Sequence, residues 1–209
     1  MKVMEPKPRA LVDYGVAGRP LTGQSASGDV HVVKLFDSGV LLALIDGVGH
    51  GDEATAAAKL AARIVEENAR ESVISLVQRC HRAMGQTRGA VMTLASVNAL
   101  DNTVTWMGVG NVEGRLLRPN NANSPLCESV LLRNGLVGLQ LPALQAAVLP
   151  LAPGDLLILA TDGIHTGFEQ GLSLAMPPSR VAAHILGRHF KGTDDAMVVV
   201  VRYVGLPHE

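Results

Sequence analysis

Apolar and polar residues along the chain fall into blocks of two periods. Residues 10–17 and 30–36 have strand character, and 40–45 (VLLALI) is an unbroken apolar run. Asp37-Ser38-Gly39 separates the last two and predicts a hairpin turn. From Glu53 to Arg70 the period lengthens. Ala54, Ala57, Ala61, Ile64 and Val65 form one stripe, with Lys59, Arg63, Glu66 and Arg70 elsewhere, which predicts an amphipathic helix capped by Asp52. A second helix is expected from about Ser72 to Met84. Strands return at 90–98 and 103–109, joined by Ala99-Leu100-Asp101-Asn102, and again near 114–118, 129–133, 145–149 and 155–160. A helix over 178–189 precedes a closing strand, 196–204 (AMVVVVRYV). Strands in consecutive hairpins and helices in a pair do not make a parallel β-α-β sheet. They predict an α+β fold of antiparallel sheets with helices on their outer faces.

Composition narrows the picture. With 209 residues, 47 % of them apolar, the chain can bury the core of one domain, expected over 10–209 behind a loose arm at 1–9. Aromatics are only 3 %, so that core must be aliphatic. Pro119 to Pro125 (PNNANSP) reads as a surface loop. Eighteen basic against 19 acidic residues leave a net charge of −1, which excludes a nucleic-acid binder acting through overall charge. No apolar run reaches the roughly 18 residues that cross a bilayer. The N-terminus, MKVMEPKPRA, lacks the apolar stretch of a secretory signal, so a cytoplasmic protein without membrane partners is expected. Cys80 and Cys127 form no CxxC and are expected to be buried small apolar groups. Trp106, Met84, Met92, Met107 and Met197 are expected core, and Arg115 and Arg118 exposed strand charges. His31, His81, His165, His184, His189 and His208 show no ligand spacing.

Acids fall where an apolar sheet does not ordinarily want them. Asp29 begins a strand, Asp46 ends LLALI, Asp162 ends LLILAT, and Asp194-Asp195 precede the closing strand. A carboxylate at the mouth of an apolar sheet needs a partner or a metal to offset its desolvation. Counting outward from a turn centred on Asp37-Ser38 sets Asp29 across from Asp46, with Cβ atoms about 5 Å apart. A bulge at Gly39 would shift that pairing by one position. Like charges so placed are destabilising unless a positive group lies between them, and no Lys or Arg is close to either in sequence. A divalent cation is the simplest answer, and oxygen-only ligands suit Mg²⁺ or Mn²⁺ over Zn²⁺. Each acid taken alone is equally a turn former, notably in Asp46-Gly47 and Asp162-Gly163; it is their conjunction that points to a metal site.

Asp46-Gly47-Val48-Gly49-His50-Gly51, Ala160-Thr161-Asp162-Gly163 and Asp194-Asp195, in this order, resemble the metal-dependent PP2C/PPM serine/threonine phosphatases. Within these, they are most similar to the SpoIIE-like branch, as is Arg88–Asn111. The resemblance implies a four-layer αββα sandwich with two divalent cations, Mn²⁺ or Mg²⁺, in a cleft at one end. It implies that Asp46 bridges both ions, that Asp29 and the Gly47 carbonyl hold one, and that Asp162 and Asp194 hold the other. Asp195 completes the metal-binding set from behind, at a position often held by Asn. The implied reaction is in-line attack of activated water on a phosphoserine or phosphothreonine ester. His50 is a candidate proton donor to the leaving oxygen, or a cap for the helix that follows. Many eukaryotic members carry a phosphate-binding Arg four residues before the first acid, where this chain has Ser25. Stand-alone length is most similar to the stressosome feedback phosphatase type (RsbX-like). That implies phosphorylated STAS-domain stressosome proteins, or anti-sigma-factor antagonists, as substrates. The alternative is a non-catalytic pseudophosphatase that binds a phosphoprotein.

Overall fold

The computed structural model describes residues 11–24, 27–49, 51–119 and 126–206. Five strands, β1 (Val12–Arg19), β6 (Glu113–Arg118), β7 (Leu126–Ser129), β10 (Leu156–Ala160) and β11 (Ala196–Tyr203), build one sheet in the order β1-β11-β10-β6-β7. The second runs β2 (Asp29–Phe36), β3 (Gly39–Gly47), β4 (Ala90–Asn98), β5 (Thr103–Val109) and β8 (Leu132–Arg133), with β9 (Ala147–Pro150) also pairing β5.

The continuous apolar run of β3 is explained by its place between two layers. Leu41, Ala43 and Ile45 face helices α1 (Asp52–Glu67) and α2 (Val73–Ala83), where they meet Ala57, Ala61, Val65 and Leu76. Val40, Leu42 and Leu44 face the other sheet and meet Leu157, Leu159, Val199 and Val201. On the far side, Ile158, Val198 and Val200 pack under α3 (Pro178–His189) through Val181, Ala182 and Ile185. The α3 helix also lies so close to β1 that a Cβ on Gly15 would stand 2.2 Å from the Ser179 Cα. The layers are therefore helix, sheet, sheet, helix, with an aliphatic core around one buried Trp106.

Several elements depart from expectation for local reasons. Helix α1 begins at Asp52 behind Gly51, so Asp52 lies in its first turn and caps nothing. It ends at Glu67 because Asn68 turns both its backbone N–H and its side-chain amide onto the Ile64 carbonyl. The single strand expected at 129–133 is two short ones in different sheets, and β8 runs parallel to β5, so that sheet is mixed. Cys80 is buried, whereas Cys127 is exposed on the edge strand β7. Met197 is half-buried. Arg115 and Arg118 are not free surface charges: Arg115 pairs with Glu113 at 2.6 Å and lies over the Phe168 ring, and Arg118 joins Glu128 and the buried Asp155. The expected arm at 1–9 and most of the 119–125 loop lie outside the described residues.

Candidate active site

The β2–β3 register sets Asp29 opposite Asp46, with no bulge at Gly39, which pairs with Phe36. Both acids therefore stand at the same open end of one sheet. The acids of the other sheet come from a neighbouring pair: Asp162 lies two residues beyond the end of β10, and Asp194 and Asp195 lie directly before β11. Strands β10 and β11 are antiparallel neighbours, so the end of one and the start of the other share a rim.

Side-chain and backbone contacts then lock the two rims together. Thr161 Oγ1 donates to Asp29 Oδ2 at 2.9 Å and accepts from the Met197 N–H at 2.8 Å, tying the β2 acid to the β10–β11 pair. Asp195, 6 % exposed, accepts from the Gly28 and Leu21 N–H groups, each at 2.6 Å, one on each carboxylate oxygen. It thereby fixes the segment that leads into Asp29. Asn111, just past β5, donates to Asp162 Oδ2 at 2.7 Å, and Lys191 Nζ donates to the Asp162 carbonyl at 2.5 Å. A cleft of about 310 Å³ opens between the rims, lined by Asp46, Gly49, Asn111, Asp162 and Asp194 among others. The structure thus brings Asp29, Asp46, Asp162, Asp194 and Asp195 to one rim, with Gly47 beside Asp46. His50 and Ser25 lie outside the described residues.

Electrostatics record the crowding. Burial, offset in part by the Thr161 hydrogen bond and reinforced by Asp195, Asp162 and Asp194, lifts the Asp29 carboxyl from 3.8 to about 7. Burial, then the charge of Asp29 and the other three acids, lifts Asp46 from 3.8 to about 8. Asp162 is also raised, by burial and then by Asp194, with Lys191 and Asn111 pulling the other way. Carboxylates raised by burial and by one another beside a cleft are the pattern that active sites commonly show. Hard oxygen donors of this kind suit Mg²⁺ or Mn²⁺. Among the described residues, no three acids, histidines or cysteines close on one point. An Mg²⁺ held at such a rim takes few carboxylates and completes its shell with water.

Three of these groups escaped the sequence reading. Thr161 sits inside ATDG and Asn111 at the end of the Arg88–Asn111 segment, but neither stretch shows which acid the side chain holds, and no sequence pattern marks Lys191. A hydroxyl immediately before a strand-end acid is the one signal that pointed to Thr161. Thr161→Val is expected to weaken Mn²⁺ binding by about 10–100-fold, the usual cost of losing a group that orients a ligand. It also leaves the Met197 N–H without its acceptor. Calorimetric Mn²⁺ titration reads the effect, and unchanged affinity would mean that Thr161 does not orient Asp29.

Gly163 shows how closely the two loops approach, because a Cβ there would lie 1.9 Å from the Asp195 carbonyl oxygen. Gly163→Ala must therefore move Asp162 away from Asp194 and Asp195. A stability loss on the order of 3 kcal/mol is expected by urea unfolding, together with weaker metal binding. A variant as stable as the parent would show that the loops are not so tightly joined.

The fold and the rim define a double-sheet αββα sandwich with a carboxylate centre at one end. The sequence matches the Stage II sporulation protein E (SpoIIE) family over residues 37–204, and the chain belongs to that family. Phosphoserine phosphatase RsbX of Bacillus subtilis (strain 168) is 34 % identical over 98 residues, 47 % of this chain and 49 % of RsbX. The match thus spans about half the length of that curated relative. A solved structure from the bacterial stressosome, described as a modular system adapted to control secondary messenger signalling, is 29 % identical. It superposes with a TM-score of 0.82 over 91 % of this chain and 99 % of its own. The crystal structure of RsbX in complex with magnesium, at 24 % identity, shares the fold with a TM-score of 0.81 over 96 % of this chain and 98 % of its own.

Proposed function

We propose that this protein is an Mn²⁺/Mg²⁺-dependent protein serine/threonine phosphatase acting on phosphorylated STAS-domain proteins of a stressosome or sigma-factor pathway. One observation carries the reading: Asp46, with Asp29 opposite it in the β2–β3 register, faces Asp162 and Asp194 from the other sheet across a single cleft. Membership of the SpoIIE family and the 34 % identity to a phosphoserine phosphatase support it.

In this reading Asp46 would serve both ions, Asp29 and the Gly47 carbonyl would hold one, and Asp162 and Asp194 would hold the other. When bound, the two cations would neutralise the phosphomonoester and lower the pKa of an attacking water. The chain's own residues prepare that centre. Asn111 and Lys191 hold Asp162, Thr161 holds Asp29, and Asp195 holds the backbone before Asp29, with both its oxygens already engaged. His50 is the proposed proton donor to the leaving Ser or Thr oxygen. No helix of the described residues is long and apolar enough to cross a membrane, and a cytoplasmic site of action is part of the proposal.

The test is incubation with candidate phosphorylated STAS proteins, with and without Mn²⁺, followed by mass spectrometry. Loss of one phosphate from a Ser or Thr, only with the metal, is expected. Stoichiometric binding without phosphate release would favour the pseudophosphatase instead.

A further inference from the structure

We infer that Arg88 grips the substrate's phosphoryl oxygens from the Gly49 side of the cleft. The inference rests on the phosphatase reading above and adds a recognition element to it. A phosphomonoester dianion entering a rim of acids has two needs. Cations answer the first, at the acids themselves; donors from the protein must answer the second, at the oxygens that face away from the acids.

Arg88 lies on the turn between α2 and β4, and that turn is built into the site. Thr87 Oγ1 donates to the Met84 carbonyl at 2.8 Å and accepts from the Gly89 N–H at 3.0 Å. The Gly89 carbonyl in turn accepts from the Val48 N–H at 3.1 Å, so the segment carrying Arg88 is bonded directly to the loop that follows Asp46. The guanidinium then leans over that loop. Its Nη1 lies 3.0 Å from where a Cβ on Gly49 would stand, and Gly49 lines the cleft together with Asp46.

The pairing of Arg88 leaves it ready for an anion. Its Nε donates to Glu53 in the first turn of α1, and among the described residues neither Nη group has an acceptor. The ion pair is open to water, with side-chain exposures of 54 % and 68 %, so it is worth little and yields readily to a stronger acceptor. A planar fork whose Nη groups have no acceptor among the described residues matches a phosphate edge, which a lysine point charge does not. Lys191, another cation near the acids, is already committed to the Asp162 carbonyl.

The probe is inorganic phosphate, titrated calorimetrically into the Mn²⁺-loaded full chain, alongside kcat/KM on a small aryl phosphate and on a phosphoserine protein. Arg88→Ala is expected to weaken phosphate binding about tenfold or more, and to cut kcat/KM by a similar factor on both substrates. Mn²⁺ affinity and Tm should stay at the parent values. Arg88→Lys should recover part of the loss, and Glu53→Gln should leave phosphate binding intact or tighten it. Unchanged phosphate binding in Arg88→Ala would overturn the inference. So would a loss confined to the phosphoprotein, which marks a docking contact, or a matching loss of Mn²⁺ affinity, which marks a structural brace. A wild-type protein that releases phosphate from no ester in Mn²⁺ sinks the phosphatase reading itself, and the wild type alone reveals that case.

Discussion

Asp46→Asn is expected to abolish turnover while leaving the sandwich folded, and to raise Tm in excess chelator. The activity loss follows from position: Asp46 is the acid that both proposed ions share. Losing several kcal/mol of transition-state charge stabilisation corresponds to about a thousandfold or more in rate. The stability gain follows from the same geometry. Asn has nearly the shape of Asp, and the β2–β3 pairing at this position is otherwise unchanged. The substitution removes one carboxylate from a pair of directly opposed acids in which burial has already driven Asp46 to about 8. In the parent, folding at neutral pH requires that group to take up a proton that the unfolded chain does not hold, which costs folding free energy; in the variant the cost is gone. Thermal unfolding of both proteins in chelator, set beside phosphate release in Mn²⁺, checks the two halves together. A variant that is inactive and also much less stable would show that Asp46 is a structural group.

Metal removal should make stability depend on pH in a direction opposite to that of most proteins. Asp29 and Asp46 have folded-state pKa values of about 7 and 8 against 3.8 in the unfolded chain. Between these limits the folded state holds more protons than the unfolded one, so stability falls as pH rises through the window. Asp162, also raised, adds to the fall. His31, lowered by burial from 6.5, acts the other way, but only at the acid end, where the unfolded imidazole is charged. The clear interval is therefore pH 6.5 to 8. There Tm in chelator is expected to drop on the order of 5 °C, given about 2–4 °C per kcal/mol for a domain of this size. With Mn²⁺ the trend should reverse. Ions bind the ionised carboxylates, so affinity and the stabilisation it brings both grow with pH. A Tm in chelator that is flat or rising from pH 6.5 to 8 would mean that these acids are not desolvated and crowded as described.

The strands and helices were largely readable because each carries its own local signal. The hairpin turn at Asp37-Ser38 fixed the β2–β3 register, and with it the meeting of Asp29 and Asp46, by counting alone. Strands β4 and β5 and helix α3 begin and end where periodicity sets them. What periodicity could not convey was the order of strands in the first sheet. There β1, β11 and β10 are neighbours although β1 is remote in sequence, and that order is settled by packing over distances that no local pattern records. The same limit hid the supporting groups. Asp195 holds the N–H groups of Leu21 and Gly28 across more than 160 residues of chain, and Thr161 reaches Asp29 across 132. Arg115 read as an exposed strand charge because Glu113 lies on its own strand while Phe168 and Glu169 come from a distant loop. Helix α1 fell short of Arg70 because Asn68 satisfies the Ile64 carbonyl, a capping contact that helical periodicity does not contain.

The central claim is that acids from the two sheets form one centre for two shared cations. Counting Mn²⁺ ions bound per chain, from the loss of the free-ion electron paramagnetic resonance signal, tests it most directly in the wild type and in Asp46→Asn. Two ions in the wild type, and the loss of both at the same concentrations in the variant, is the predicted result. Asp46→Asn that binds Mn²⁺ as the wild type does would contradict it.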